Sequence, residues 1–366
     1  MSSTLTIKSS QLRNLLCNCA PLRNKFDSVS KSSSSFHAAA ENEQRRKEHT
    51  YVRRWKYVNV ESTSKYLLGQ IIYNKDGIVA INKPPDLGSS KEDCSIYHTL
   101  PFLAKELGYK YLKLVKVPEK SISGITILVA DAALAEEVSK SIRRSKALFS
   151  DDPKQTFLAL TVGHPLKDEG SERFAVKIQN HENQKHCYIV RKWTENERKR
   201  RDVNIGVVSH KVVAQCEQAS LVSVSTWQEH AHCPRVFLSD ILLSPALGDK
   251  KFGTRVSSLF GKPVLLKPWI APAVKALPPP LLKHLSVLSG SEGSIPMHLH
   301  LQELTLHGFK KDNSDLILRA DPPEFFLWSC KQLNLELPTV DRIDQPVELS
   351  EEIERKNQNN IKMICN

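Results

Sequence analysis

Lys75-Asp76-Gly77-Ile78-Val79-Ala80-Ile81-Asn82-Lys83-Pro84-Pro85 sets a turn, a strand and a stop in immediate succession. Asp76-Gly77 is a turn signal, because glycine accepts backbone angles that other residues resist. Ile78 to Asn82 then reads as a buried strand, and Pro84-Pro85 ends it, since proline has no N–H to offer a neighbouring strand. Outward from here, apolar runs of strand length recur at Ile125 to Ala130, Thr156 to Val162 (closed by Gly163), Leu221 to Trp227 and His298 to Leu306. In the Leu221 run, Val222, Val224 and Thr226 share one face. Residues 96–109 alternate helically up to Gly108. Ala132 to Arg144 predicts an amphipathic helix, with Leu134, Val138 and Ile142 recurring every fourth residue. Strands mixed with helices, without a repeating βα unit, predict an α+β fold on a largely antiparallel sheet.

The remaining segments are polar. Residues 168–204 are highly charged, contain Glu197-Arg198-Lys199-Arg200-Arg201, and read as exposed loop or hairpin. Residues 254–295 are rich in loop signals, including Pro278-Pro279-Pro280. Residues 1–40 carry Lys8, Arg13, Arg23, Lys25 and Lys31 against a single acid, Asp27, together with the run Ser32 to Ser35. Such acid-poor, Ser- and Arg-containing leaders have the composition of mitochondrial transit peptides. The expected organisation is a leader over 1–40, a basic linker over 41–64, one catalytic-size domain over 65–310 and a C-terminal tail over 311–366.

With 366 residues, 40% of them hydrophobic, the chain can bury a sizeable core. A net charge of +12 is an electrostatic footprint for polyanions, nucleic acid first among them. No apolar run approaches the length of roughly 18 residues that a membrane helix needs, so no membrane span is expected. There is no G-x-G-x-x-G, no P-loop and no H-E-x-x-H, which removes support for dinucleotide, nucleoside-triphosphate and zincin chemistry. None of the eight cysteines forms a CxxC pair, and free thiols are expected. His230, His232 and Cys233, with His181, His186 and Cys187 upstream, lack the spacing of a structural zinc site, so no metal is expected.

Six motifs in a fixed order give the chain a family likeness. The Asn82-Lys83-Pro84 strand end is similar to the opening of RluA-type RNA pseudouridine synthases. Lys116-Val117-Pro118-Glu119-Lys120-Ser121-Ile122-Ser123-Gly124 stands where that family has His-Arg-Leu-Asp-Lys-x-Thr-Ser-Gly. Lys154-Gln155-Thr156-Phe157 resembles Lys-x-Tyr, and His232-Cys233-Pro234-Arg235-Val236 resembles His-Gln-Ile-Arg-Val. Leu247-Gly248-Asp249 with Phe252-Gly253 resembles Leu-Gly-Asp-x-x-Tyr-Gly, and Leu299-His300-Leu301 resembles Leu-His-Ala. The likeness spans residues 66–309. Together with the leader it points to the mitochondrial mRNA branch of the RNA pseudouridylate synthase domain proteins.

The resemblance implies a pseudouridine synthase fold, with flanking helices and a central cleft into which uridine is flipped out of its RNA. It implies no cofactor. The family's catalytic Asp corresponds to Glu119, about 1.5 Å longer in reach. Its Tyr corresponds to Phe157, which can pack against a base but cannot relay a proton. Arg235 is retained and is the expected partner that keeps Glu119 ionised, at the start of a strand facing the Glu119 loop. Lys83, Lys120, Lys154 and His232 lie within the motifs; with Arg200 and Arg201 of the charge run they are the expected RNA contacts. Two functions follow: a pseudouridine synthase acting on mitochondrial mRNA or rRNA in the matrix, or a non-catalytic descendant that binds RNA or assists mitoribosome assembly. A monomer is expected in either case, working alongside other mitochondrial RNA-processing proteins. The target uridine is not legible in the sequence.

Overall fold

The computed structural model describes residues 50–51, 59–90, 95–147, 155–227, 232–274, 276–310 and 313–337, with side chains withheld at 143–147. Helix α1 (Val60–Leu68) opens the domain, capped by the Asn59 side chain, which accepts a hydrogen bond from the Ser62 backbone N–H. It is followed by β1 (Ile71–Lys75), β2 (Ile78–Lys83), α2 (Ile96–Glu106), β3 (Lys113–Lys116), β4 (Ser123–Val129) and α3 (Ala132–Ala147). Next come β5 (Gln155–Val162), β6 (Glu169–His181), β7 (Gln184–Val190), α4 (Glu195–Lys199), β8 (Val203–Gln215), β9 (Ala219–Thr226) and α5 (Cys233–Asp240). The chain continues through β10 (Val256–Leu259), β11 (Lys262–Leu265), α6 (Pro279–His284), β12 (Leu299–Leu306), β13 (Leu316–Arg319) and α7 (Glu324–Gln332).

Eleven of these strands form one mixed sheet in the order β1-β2-β4-β12-β5-β9-β8-β6-β7, with β3 beside β4 and β13 beside β12. Every pairing is antiparallel except β4 with β12. The protein thus has an α+β fold on a largely antiparallel sheet, as expected. The central strands are apolar on both faces because both faces are covered. Ile78 and Ala80 of β2, with Ile125, Ile127 and Val129 of β4, pack into a core shared with α3 and α5. Their neighbours Val79, Ile81 and Leu128 face the opposite way, onto Leu67 of α1 and Leu103 of α2. Further along the sheet, Phe157 and Ala159 of β5 join the first core, while Leu158 and Leu160 turn to α6 and α7.

Three regions differ from the sequence expectation. The charged segment 168–204 forms the long hairpin β6–β7, the hairpin of the two expected readings, and then α4, after which comes β8; the difference is that all three strands belong to the main sheet. Their burial is partial, so the sequence lacks a continuous apolar run there. Arg235 sits in helix α5, not on a strand. Cys-Pro-Arg-Val-Phe-Leu looks β-forming by residue type, but Pro234 in the first turn favours a helix start. The segment after Asn313 is also folded into the domain: β13 pairs with β12, and Phe326 and Cys330 of α7 are core residues. The leader, residues 1–40, lies outside the described residues.

One feature of the sheet positions the site. β4 and β12 are paired at only two positions, Ser123 with His300 and Gly124 with Leu301. Beyond these they part, β4 pairing with β3 and β12 with β13. Gly124 makes the junction possible: its φ is +119°, and a Cβ there would lie 2.3 Å from the Leu301 carbonyl oxygen. The β3–β4 connection, residues 117–122, leaves the sheet at this fork.

Candidate active site

Glu119 stands on that connection. Its carbonyl accepts a hydrogen bond from the Ile122 N–H at 2.9 Å, closing a tight turn. Two further braces hold the turn. The Ser123 hydroxyl lies 3.0 Å from His300 Nδ1, and His300 Nε2 lies 3.0 Å from the Ala320 carbonyl, tying the start of β4 to β12 and β13. His300 is fully buried, and burial lowers its pKa to about 4, so the ring is a neutral strut. On the other side the Lys83 ammonium donates to the carbonyls of Pro84, Leu87 and Lys120.

The Glu119 side chain is 23% exposed and clamped through one oxygen. Oε2 lies 2.7 Å from Arg235 Nη1 and 2.7 Å from His232 Nδ1. Among the described residues no donor reaches Oε1, which leaves that oxygen open on the accessible side. Burial alone would raise the carboxyl pKa. The hydrogen bond from His232 and the charge of Arg235 outweigh it and hold Glu119 below its usual range. The result is an ionised carboxylate with one oxygen fixed and one available.

Arg235 is itself held from behind. Its Nε and Nη2 donate to the two oxygens of Asp249 at 2.8 and 2.7 Å, a bidentate pair. Asp249 Oδ1 also accepts the backbone N–H groups of Lys251 and Phe252, each at 3.0 Å. The guanidinium lies 4.9 Å from the Phe252 ring centroid. Asp249 can reach this position because Gly248 turns the chain at φ +78°, where a Cβ would lie 2.1 Å from the Pro296 carbonyl oxygen. Burial pushes the Asp249 carboxyl up, but Arg235 and the two N–H groups bring it below its ordinary value. The chain Asp249–Arg235–Glu119 therefore runs from a sealed carboxylate to an open one.

No family model matches the chain. Mouse (Mus musculus) mitochondrial pseudouridylate synthase RPUSD4 is 26% identical over 294 residues, covering 76% of this chain and 73% of that protein. Human (Homo sapiens) mitochondrial mRNA pseudouridine synthase RPUSD3 is 26% identical over 280 residues, covering 74% and 78%. Among solved structures, human RNA pseudouridylate synthase domain containing 4 superposes with a TM-score of 0.60 at 25% identity, over 76% of this chain and 98% of that one. The chain is a homologue of the mitochondrial RNA pseudouridine synthases.

For a pseudouridine synthase homologue, the other expected site residues fall into distinct places. His232 meets Glu119 as a hydrogen-bond partner and caps α5 in a left-handed conformation, φ 60°. Phe157 is 1% exposed on β5 and belongs to the core, offering packing and no polar atom. Lys83 corrects its assignment: it is fully buried and spends its ammonium on three carbonyls, so it braces the Glu119 turn and presents no charge to phosphate. Lys120 is exposed on the turn itself. Arg200 and Arg201 are exposed at the end of α4, Arg200 within 3.2 Å of Asp202, and Glu119 contacts neither. Lys154 lies outside the described residues, as does His230. Asp249 was missed as a site residue. Its position in Leu-Gly-Asp was visible, but nothing in one sequence marks an acid that stands behind an arginine 14 residues earlier.

Proposed function

We propose that this protein is an RNA pseudouridine synthase that flips a uridine out of mitochondrial RNA into the cleft at Glu119 and isomerises it there. The observation that carries this reading is the half-clamped carboxylate: Oε2 fixed by Arg235 and His232, Oε1 open. Flipping is required because the reacting atoms of a stacked base cannot be reached in place. Glu119 then acts on the ribose, by attack of Oε1 at C1′ or as a base on the sugar. Both routes need an ionised carboxylate with one unoccupied oxygen. The N1–C1′ bond breaks, the uracil turns, and C5 bonds to C1′ as the carboxylate is released. C5 gives up its proton and N1 takes one, so atoms and electrons balance with no co-reactant.

The extra methylene of Glu119 is accommodated by the clamp. Arg235, anchored by Asp249, meets a carboxylate that reaches further from the backbone than an aspartate would. With phenylalanine at 157, the C5 proton leaves to water on the open side of Glu119. The overall charge of +12 supports an RNA substrate. No helix among the described residues is long and apolar enough to cross a membrane. The leader composition and the mitochondrial relatives support a mitochondrial address, which we place in the matrix, with mRNA or rRNA as the substrate.

The test is pseudouridine mapping of mitochondrial RNA in cells with and without the gene. The expected result is the loss of one or a few modified sites, restored by the wild-type gene. Unchanged maps in every mitochondrial transcript would remove the reading. A fluorescent fusion of residues 1–45 tests the address, and cytosolic fluorescence would contradict it.

A further inference from the structure

We propose that the β10–β11 hairpin is an RNA-gripping arm, with Phe260 stacking on unpaired bases that flank the uridine in the cleft. This rests on the pseudouridine synthase reading for its substrate class. The hairpin forms a two-stranded sheet separate from the main one. An isolated hairpin is marginal in water unless its apolar side is covered, yet residues 257–265 are exposed throughout. Phe260, at the tip, is 96% exposed, with Leu259 beside it at 56%. Phe260 and Gly261 both have positive φ, the geometry of a tight hairpin turn that presents its first side chain outward.

The root is rigid where the tip is bare. Arg255 pairs with Asp240 of α5 at 2.9 Å and donates to the Cys187 carbonyl of β7 at 2.9 Å. The Leu266 N–H returns to the Arg255 carbonyl at 2.7 Å and closes the hairpin base. Just beyond, Trp269 stacks on His181 with centroids 5.3 Å apart and meets the Tyr188 ring edge-on, which fixes the returning strand to the β6–β7 hairpin. The root also adjoins the site, because Phe252, three residues before Arg255, packs on His232 and Arg235. From Val256 the strand extends about 14 Å at roughly 3.4 Å per residue. The tip therefore meets flanking nucleotides and not the reacting one.

Charge selects the partner. Between Lys250 and Lys267 the chain carries four exposed lysines, Lys250, Lys251, Lys262 and Lys267, and no acid, while Arg255 is buried and neutralised by Asp240. A cationic arm ending in an aromatic ring is the pattern of single-stranded nucleic-acid binding, where lysines follow the backbone and rings stack on bases without regard to sequence. An anionic membrane shares the charge but gives no reason for an arm rooted on the helix that holds Arg235.

The test measures binding of a short mixed-sequence single-stranded RNA by the full chain, wild type and Phe260→Ala, with Phe260→Trp as the rescue and a fluorescent base analogue reporting stacking. Phe260→Ala is expected to weaken binding about 5- to 150-fold, the range for one lost base–aromatic stack. It should also abolish the quenching of the analogue, and Phe260→Trp should restore both. Equal affinity and quenching in wild type and Phe260→Ala would overturn the arm. So would tighter binding of Phe260-containing protein to cardiolipin-containing vesicles than to RNA. RNA binding that depends on Phe260 in a protein making no pseudouridine would remove the enzyme reading and leave the arm standing. No RNA binding by wild type would remove both.

Discussion

Arg235 and Arg255 are both buried, both engage an aspartate, and both connect to helix α5, yet they do opposite things. Arg255 and Asp240 are sealed, with side chains 4% and 2% exposed. Asp240 takes further donors from Ser239 and the Ile189 N–H, so neither of its oxygens is left open, although the buried Arg255 Nε has no hydrogen-bond partner among the described residues; the pair joins α5 to β7 and the arm. Arg235 has a sealed partner on one side, Asp249, and a half-open one on the other, Glu119. The titrations follow the geometry. Burial leaves the Asp240 carboxyl above its ordinary value despite Arg255, whereas Glu119 and Asp249 are held below theirs. A closed pair braces the fold. A pair with one carboxylate oxygen left over can act on something else.

The sharpest way to break this comparison is to exchange the two pairs for apolar residues. Arg255→Met with Asp240→Leu should leave stability within about 2 kcal/mol of wild type, since a buried ion pair often has no net advantage over packed apolar groups, and turnover should persist. Arg235→Met with Asp249→Leu is predicted to reduce pseudouridine formation by about a hundred- to a thousandfold, because Glu119 loses the cation that orients it. Thermal melts and single-turnover assays on both variants check this. Comparable activity loss in both would erase the distinction.

Removing one partner alone costs more stability. Asp249→Ala leaves Arg235 Nε and Nη2 buried without their acceptors, with only Glu119 still paired to the guanidinium, and should lower stability by about 3 kcal/mol, read by denaturant unfolding. Glu119→Asp shortens the side chain by about 1.5 Å. Oε2 then withdraws from donors that each stand at 2.7 Å, and turnover should fall on the order of a hundredfold. A gain in activity would mean that the backbone, not the clamp, sets the reach.

The smallest effect concerns pH. Glu119 and Asp249 have folded pKa values below the unfolded ones, so their contribution is present above the unfolded values, near 4.5 and 3.8, and is lost as pH falls through the folded values. Asp240 is raised, so its burial penalty is present at neutral pH and relieved as pH falls through its folded value. Activity should therefore hold down to about pH 4.5 where the fold survives. Asp240→Asn should therefore be less destabilising at pH 7, where it removes that penalty, than at acid pH, measured by unfolding across that range.

The strands at Ile78, Ile125, Thr156, Leu221 and His298 were legible because each is buried on at least one face, and all but the Leu221 strand have glycine or proline at a boundary. β8 was not, because Val203–Gln215 mixes buried and half-exposed positions and its apolar residues are interrupted by Gly206 and Ser209-His210-Lys211. The loop register of Glu119 was legible from Ser123-Gly124, since only glycine fits against Leu301 there. The helix under Arg235 was hidden by β-forming neighbours, although Pro234 marked its first turn. Lys83 misled because a lysine beside a motif reads as a phosphate contact, and only the fold reveals three carbonyls around its ammonium. Asp249 was quoted but not assigned, since its role depends on a contact that sequence spacing does not encode.

The central claim is that Glu119 performs the chemistry, and Glu119→Gln tests it most directly. Glutamine keeps the size of the side chain and removes the charge that Arg235 and His232 stabilise. Wild type and Glu119→Gln should be compared on the same mitochondrial RNA for pseudouridine yield and for RNA affinity. Wild type should yield pseudouridine and Glu119→Gln none, with affinities within about threefold of each other, because phosphate contacts dominate binding. Equal pseudouridine yield from the two proteins would contradict catalysis by Glu119.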